Sequence, residues 1–354
     1  MRGGIVLFAK RPGVTSFSSL FSIKRALGTK KVGHTGTLDS FASGLLVVCT
    51  GSLTRLASYI TSFNKTYDAV IEFGSETDTL EYTGKIVKTA PLPKKDDVLS
   101  AIKHYTGDIL QTPPLFSALH INGERASDIA RSGRSAEMPS RPVTVYASEA
   151  EEFLLEDGRV KAVRVRFSVS KGTYIRSLAR DIGSCCKSAA HLAGLRRFSV
   201  GSFCLEDAAG FSSLAPFTIQ SVYQTISDMQ KAQSASCKAG ASEHTPHSGE
   251  DVQSEVREKM QTMTESLAAE CGFGTAHIFP EYEDDFKHGR PLFSSMFEKG
   301  AGSVCETSDT SSVCGVCAAN SNAPIAVFGS HNNFLGIIAE GDKGAYSYTF
   351  VSPD

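Results

Sequence analysis

A chain of 354 residues, 41% of them hydrophobic, is long enough to bury a large core, and one large domain with a smaller one is the expected division. Its apolar opening from Ile5 to Ala9 is too short for a secretory leader, and no run reaches the roughly 20 apolar residues of a spanning helix, so a cytoplasmic protein with no membrane contact is expected. A net charge of -2 excludes a uniformly basic nucleic-acid binder, and 9 cysteines without a paired framework exclude a disulfide scaffold.

In chain order, Gly3 to Phe8 reads as a strand that Lys10-Arg11-Pro12-Gly13 breaks with turn chemistry. Thr15 or Ser16 then caps a helix carrying Leu20, Ile23 and Leu27 on one face, which stops at Gly28. A loop from Lys31 to Ser40 follows, closed by the apolar run Leu45 to Val48 as a buried strand or helix start. Further strands are predicted from Tyr67 to Phe73, from Ile86 to Thr89 and from Val163 to Val169, where apolar residues alternate with Arg164, Arg166 and Ser168. Helices are predicted from Asp96 to Tyr105, from Arg125 to Arg131 and from Thr173 to Cys186, the last with Ile175, Leu178, Ala179 and Ile182 in one stripe.

Strands and helices mix without strict βαβ alternation, which predicts an α+β fold around a mixed or antiparallel sheet. From about residue 232 to 263 the composition turns polar and predicts a low-complexity insertion, and residues 300 to 324 form a second such stretch. Around them, Ile278 to Pro280, Phe286 to Leu292, Ile325 to Phe328, Phe334 to Ala339 and Tyr346 to Val351 read as short strands of a small all-β module. The expected domains are therefore 1–275 and 276–354.

Charge is distributed unevenly. No acid precedes Asp39, while Arg2, Lys10, Arg11, Lys24, Arg25, Lys30 and Lys31 are basic; a second basic group runs from Lys161 to Arg197, and acids gather from Glu243 to Asp285. This pattern reads as a phosphate-binding surface built from two separated segments, or as ordinary solvated faces. Cys305, Cys314 and Cys317 lack a fourth zinc ligand at the usual spacing, His331 being the nearest candidate, so no metal is expected.

Asp39 is the sharpest position: a carboxylate alone after a basic segment, in a loop with Gly33, Gly36 and Gly44, where glycines permit close approach. By itself such an Asp reads equally as a turn or cap. The surrounding text decides between these. Gly33-His34-Thr35-Gly36-Thr37-Leu38-Asp39-Ser40-Phe41-Ala42-Ser43-Gly44-Leu45-Leu46 resembles the signature of the TruB pseudouridine synthases. Lys65-Thr66-Tyr67, Ser170-Lys171-Gly172-Thr173-Tyr174-Ile175-Arg176 and Leu195-Arg196-Arg197 resemble three further motifs in the family's order. Ser117-Ala118-Leu119 is a fainter match, and Phe286 to Leu292 resembles the start of the family's RNA-binding PUA domain.

The resemblance implies a catalytic domain of pseudouridine-synthase type with a PUA-like C-terminal domain, acting on a uridine at position 55 in the T loop of tRNA. It implies Asp39 as nucleophile, Arg176 as its cationic partner and Tyr67 as the aromatic platform for a flipped base, with His34, Lys10, Lys171, Tyr174 and Leu195 as substrate contacts. An Asp carboxylate can attack the sugar, attack the base or remove a ribose proton, and all three routes stay open. No cofactor and no obligatory protein partner are expected, and the chain is expected to act as a monomer. Three positions depart from the family pattern: Ser40 for a proline, Arg11-Pro12 after Lys10, and His120 for a lysine. Ser40 is expected to loosen the loop that aims Asp39. The competing readings are a tRNA-binding module that remodels its RNA without catalysis, and a hydrolase with an Asp nucleophile that would release free uracil.

Overall fold

The computed structural model describes residues 3–121, 123–134, 136–239, 250–298, 324–340 and 345–352. The first half runs through strand β1 (Ile5–Lys10), helix α1 (Ser16–Leu27), β2 (Val32–His34), β3 (Ser43–Thr50), α2 (Ala57–Thr61) and β4 (Lys65–Phe73). A hairpin of β5 (Ser75–Thr77) and β6 (Ile86–Thr89), helix α3 (Lys95–His104), β7 (Gly107–Gln111), a second hairpin of β8 (His120–Ile121) and β9 (Glu124–Arg125), and α4 (Ala126–Arg131) follow. Then come the long strands β10 (Arg141–Glu156) and β11 (Arg159–Val169), α5 (Ile175–Cys185), β12 (Ala190–Val200) and β13 (Phe203–Cys204). The last part holds α6 (Ile219–Ala239), α7 (Glu250–Glu258), α8 (Glu265–Glu270), β14 (Gly274–His277), α9 (Glu283–Lys287), β15 (Leu292–Phe293), β16 (Ile325–Phe328), β17 (Phe334–Glu340) and β18 (Ala345–Val351).

The main sheet has nine strands in the order β1-β3-β12-β4-β11-β10-β7, with β2 beside β3 and β13 beside β12. Its pairs are antiparallel except β12 with β3, which meet in parallel at Arg196 to Ser43 and Arg197 to Gly44. The mixed sheet matches the expectation from sequence. That short parallel contact matters for function, because it lays the Leu195-Arg196-Arg197 segment beside the chain leaving Asp39.

Local signals explain the elements that carry the site. Helix α1 begins where Thr15 Oγ1 accepts the Ser18 amide at 3.0 Å and ends at Gly28 in the left-handed region (φ 60°). On α5 the predicted stripe of Ile175, Leu178, Ala179 and Ile182 is buried, packing with α3 residues Val98, Ala101 and Ile102 against Ile71, Val163, Val165 and Phe167 of the sheet. Each large side chain buried this way contributes roughly 1.5–3 kcal/mol. Helices α1 and α7 cover β1 and β3 through Leu20, Ile23, Val252 and Val256, and α6 packs Ile219 and Val222 on Val70, Ala162 and Ala193.

Three expectations change. Within the stretch expected to be a low-complexity insertion, residues 250–258 form α7, and its Val256 is fully buried; two valines one helical turn apart, Val252 and Val256, suffice to dock a helix whose other positions are polar. Phe286 to Leu292 is not one strand: Glu283–Lys287 is helical, with Phe286 as its buried anchor, and only Leu292 enters a strand, β15. The C-terminal module is accordingly a five-stranded sheet, β14-β16-β17-β18-β15, with short helices rather than all-β. Its strand β14 starts at Gly274, and its residues Phe328, Ile337 and Phe350 share one buried cluster with Ile5, Leu7 and Val47 of the main sheet.

Candidate active site

The loop between β2 and β3 carries Asp39, and its backbone is fastened from several sides. Ser16 Oγ donates to the Leu38 carbonyl and accepts the Leu38 amide, both at 2.9 Å. The Ser40 carbonyl accepts the Gly13 amide at 2.8 Å and Lys10 Nζ at 3.2 Å. Lys10 Nζ also reaches the carbonyls of Ala42 at 2.5 Å and Arg11 at 3.0 Å. From β12, Arg197 donates to the carbonyls of Leu45 (2.8 Å), Gly36 (3.2 Å) and Thr37 (3.5 Å). Ser40 therefore leaves the loop well held: its carbonyl is tied down even though its own dihedral is not locked by a proline ring.

Lys10 corrects an expectation. It is fully buried at the end of β1 and does not line the cleft, so it braces the Asp39 loop rather than touching phosphate. Burial lowers its pKa from the ordinary lysine value to about 7; Asp39 pulls it back up and Arg197 pushes it down. Arg197 is a site residue that the sequence marked only as one of several basic positions; its place in the Leu-Arg-Arg motif was the available signal.

Of the loop glycines only one is conformationally required. Gly44 has φ +115°, and a Cβ there would lie 2.3 Å from the Arg197 carbonyl oxygen and 2.6 Å from its nitrogen, whereas Gly33 and Gly36 have room for a side chain. Gly44→Ala is expected to destabilise the protein by roughly 3 kcal/mol, since strained backbone and a backbone clash add. Thermal unfolding reads this directly, and an unchanged Tm would show that the β3 and β12 contact yields easily.

Arg176 sits in the first turn of α5, where a cation is disfavoured by the helix dipole and needs a counter-charge. Asp39 supplies it in a two-point pair: Nε to Oδ2 at 3.0 Å and Nη2 to Oδ1 at 3.1 Å. The same guanidinium donates to the Thr79 carbonyl at 3.1 Å and the Phe116 carbonyl at 3.0 Å. The Arg176 side chain is 7% exposed and that of Asp39 34%, so the guanidinium forms the floor and the carboxylate faces the open cleft. Gln111 fixes the start of α5 by bonding both the amide and the carbonyl of Tyr174, at 2.8 and 3.1 Å.

The cleft above this pair has a volume of about 480 Å³. Asp39, Tyr67, Tyr174, Arg176, Leu195 and Arg197 line it, with Ser117, Arg125 and Arg131 contributed by the segment around β9 and α4. Tyr67 stands half-buried on β4, paired with Phe167 on one side and Arg197 on the other. Burial raises the Tyr174 phenol above its ordinary value. Lys65, also in the lining, donates to the carbonyls of Thr61 (2.7 Å) and Phe63 (2.6 Å) and is lowered to about 8 by burial, with Arg197 and Lys171 adding repulsion.

Five of the eight expected site residues thus meet in the cleft, and three lie outside its lining. Besides Lys10, Lys171 is exposed in the turn before α5, and His34 lies half-buried on β2. The buried Nδ1 of His34 has no hydrogen-bond partner among the described residues, and burial lowers its pKa, with Arg197 adding to the shift. Cys305, Cys314 and Cys317 fall outside the described residues, among which no group of three His, Cys, Asp or Glu is placed to hold a metal. No helix among the described residues is long and apolar enough to cross a membrane.

The family described as TruB family pseudouridylate synthase, N-terminal domain, matches residues 24–175. A tRNA pseudouridine synthase B of Treponema pallidum is 36% identical over 322 residues, which take in 84% of this chain and 88% of that protein. The chain belongs to the TruB family of pseudouridine synthases. A tRNA pseudouridine synthase B of Treponema denticola is 47% identical over 229 residues, covering 60% of this chain and 64% of the relative. Among solved structures, a Cbf5 chain in a Cbf5-Nop10-Gar1 complex superposes with a TM-score of 0.60 at 22% identity, over 98% of this chain and 84% of that one, a likeness of fold. The TruB family match takes in the Asp39 loop and Tyr67 and ends at Ile175, one residue before Arg176.

Proposed function

We propose that this TruB-family chain isomerises a uridine in the T loop of tRNA, at position 55, to pseudouridine, with Asp39 as the nucleophile and the target base swung out of the RNA into the cleft. The observation that carries this reading is the two-point Asp39 and Arg176 pair at the base of a cleft large enough for a nucleotide. The choice of tRNA draws on the relatives named tRNA pseudouridine synthase B, and the choice of the T loop on the motif resemblance.

The chemistry asks for little else. The N1 glycosidic bond breaks, the base turns, a bond forms from C1′ to C5, and the C5 proton is lost while N1 gains one, so mass and oxidation state are unchanged. No cofactor is needed for that balance. A carboxylate gripped at both oxygens by a guanidinium provides the nucleophile, and the buried cation keeps it aimed without solvent reorganisation. A flipped base requires an aromatic wall, which Tyr67 provides, with Leu195 and Tyr174 completing the pocket lining. Arg125 and Arg131 stand at the rim to meet backbone phosphates. The C-terminal sheet is read as the family's PUA-like RNA-binding domain, taking the arm of the tRNA beyond the T loop.

Carbodiimide mapping of unmodified tRNA by reverse transcription tests the reaction and the position together. The expected outcome is one new stop in the T loop after incubation with the protein. Release of free uracil would replace this reading with the hydrolase, and tight tRNA binding without any stop would replace it with the binding module.

A further inference from the structure

Helix α1 has a face that the cleft does not use. Leu20, Ile23, Ala26 and Leu27 are buried against the sheet and α7, leaving positions 17, 21, 24 and 25 on the outward stripe. Phe17 and Phe21 on that stripe are 62% and 53% exposed and meet edge to face, with ring centroids 5.8 Å apart. Lys24 Nζ lies 5.4 and 5.5 Å from the two centroids, so one ammonium caps both rings. Arg25 in the last turn of α1 and Lys30 and Lys31 just after it are exposed, and neither α1 nor any residue before Asp39 is acidic.

Two solvent-facing rings capped by a lysine, on an acid-free helix with three more exposed cations in and after its last turn, are a combination that apolar protein interfaces avoid, since lysine is depleted there. It is the composition of surfaces that stack unpaired bases and neutralise the strand that carries them. The surface is also tied to the catalytic loop, because Ser16, the residue before Phe17, holds Leu38 next to Asp39 through two hydrogen bonds.

We propose that Phe17, Phe21 and Lys24 form an accessory RNA platform on which an unpaired base of the substrate tRNA stacks, with Arg25, Lys30 and Lys31 meeting the adjoining phosphates. The proposal rests on the reading that the substrate is tRNA. The platform positions substrate; it takes no part in bond making.

The chain contains no tryptophan, so Phe17→Trp introduces a single fluorescent reporter. Titration with unmodified tRNA is expected to quench its emission with the same midpoint as tRNA binding by the wild type. The Phe17→Ala, Phe21→Ala double variant is expected to raise KM for tRNA roughly tenfold per stacked base lost, with kcat and Tm unchanged. Silent tryptophan emission at saturating tRNA, or an unchanged KM, overturns the platform while wild-type pseudouridine formation leaves the proposed function standing. Emission that changes with protein concentration in the absence of RNA also overturns it, assigning the face to a second copy. A wild type that forms no pseudouridine removes both proposals.

Discussion

Asp39→Asn is expected to reduce kcat for pseudouridine formation at least roughly 1,000-fold while leaving tRNA affinity within a few-fold of wild type. The fold should survive, because the clamps on the loop use backbone atoms of residues 36 to 45 and none of them uses the Asp39 carboxylate. The substitution removes the charge but keeps one acceptor towards Arg176 and turns an amide donor towards it, so the two-point pair is lost. What disappears is the only acidic group among the described residues that line the cleft, and with it the proposed nucleophile. Quantifying pseudouridine in a tRNA transcript together with filter binding separates chemistry from recognition. Turnover by Asp39→Asn within tenfold of wild type would place the chemistry on another group.

How much of this was legible in the sequence follows from what each signal encodes. The half-buried strand β11 and the stripe of α5 were readable because one face of each contacts the core, so periodicity reports it. Strand β12 was not, since its first six residues are all buried and leave no alternation, and its arginines mimic a surface segment. The same masking hid Arg197: a buried arginine is written like a solvated one, and only the three-dimensional register opposite Gly44 shows what its guanidinium holds. Lys10 was misplaced for that reason too. Charge in a sequence says that a partner exists, and Lys10 found three carbonyls rather than a phosphate. Asp39 and Arg176 lie far apart in sequence, and residue types alone gave no warrant for pairing them; the motif resemblance supplied it, and the fold brings them to 3.0 Å.

Arg176 should be nearly as costly to remove, for a different reason. Arg176→Met is expected to lower kcat roughly 30-fold or more, in the range seen when one member of a buried hydrogen-bonded charge pair is truncated. It also leaves the carbonyls of Thr79 and Phe116 without their donor, so Tm should fall as well. Arg176→Lys sharpens the test. A lysine keeps the charge but offers a point ammonium, which cannot span both carboxylate oxygens and two carbonyls lying in different directions. If orientation of Asp39 is what the guanidinium provides, Arg176→Lys recovers thermal stability more fully than it recovers kcat, with KM for tRNA little changed in either variant. Equal recovery of both would mean that charge alone suffices, and a lysine variant with full activity would remove the geometric argument for the pair.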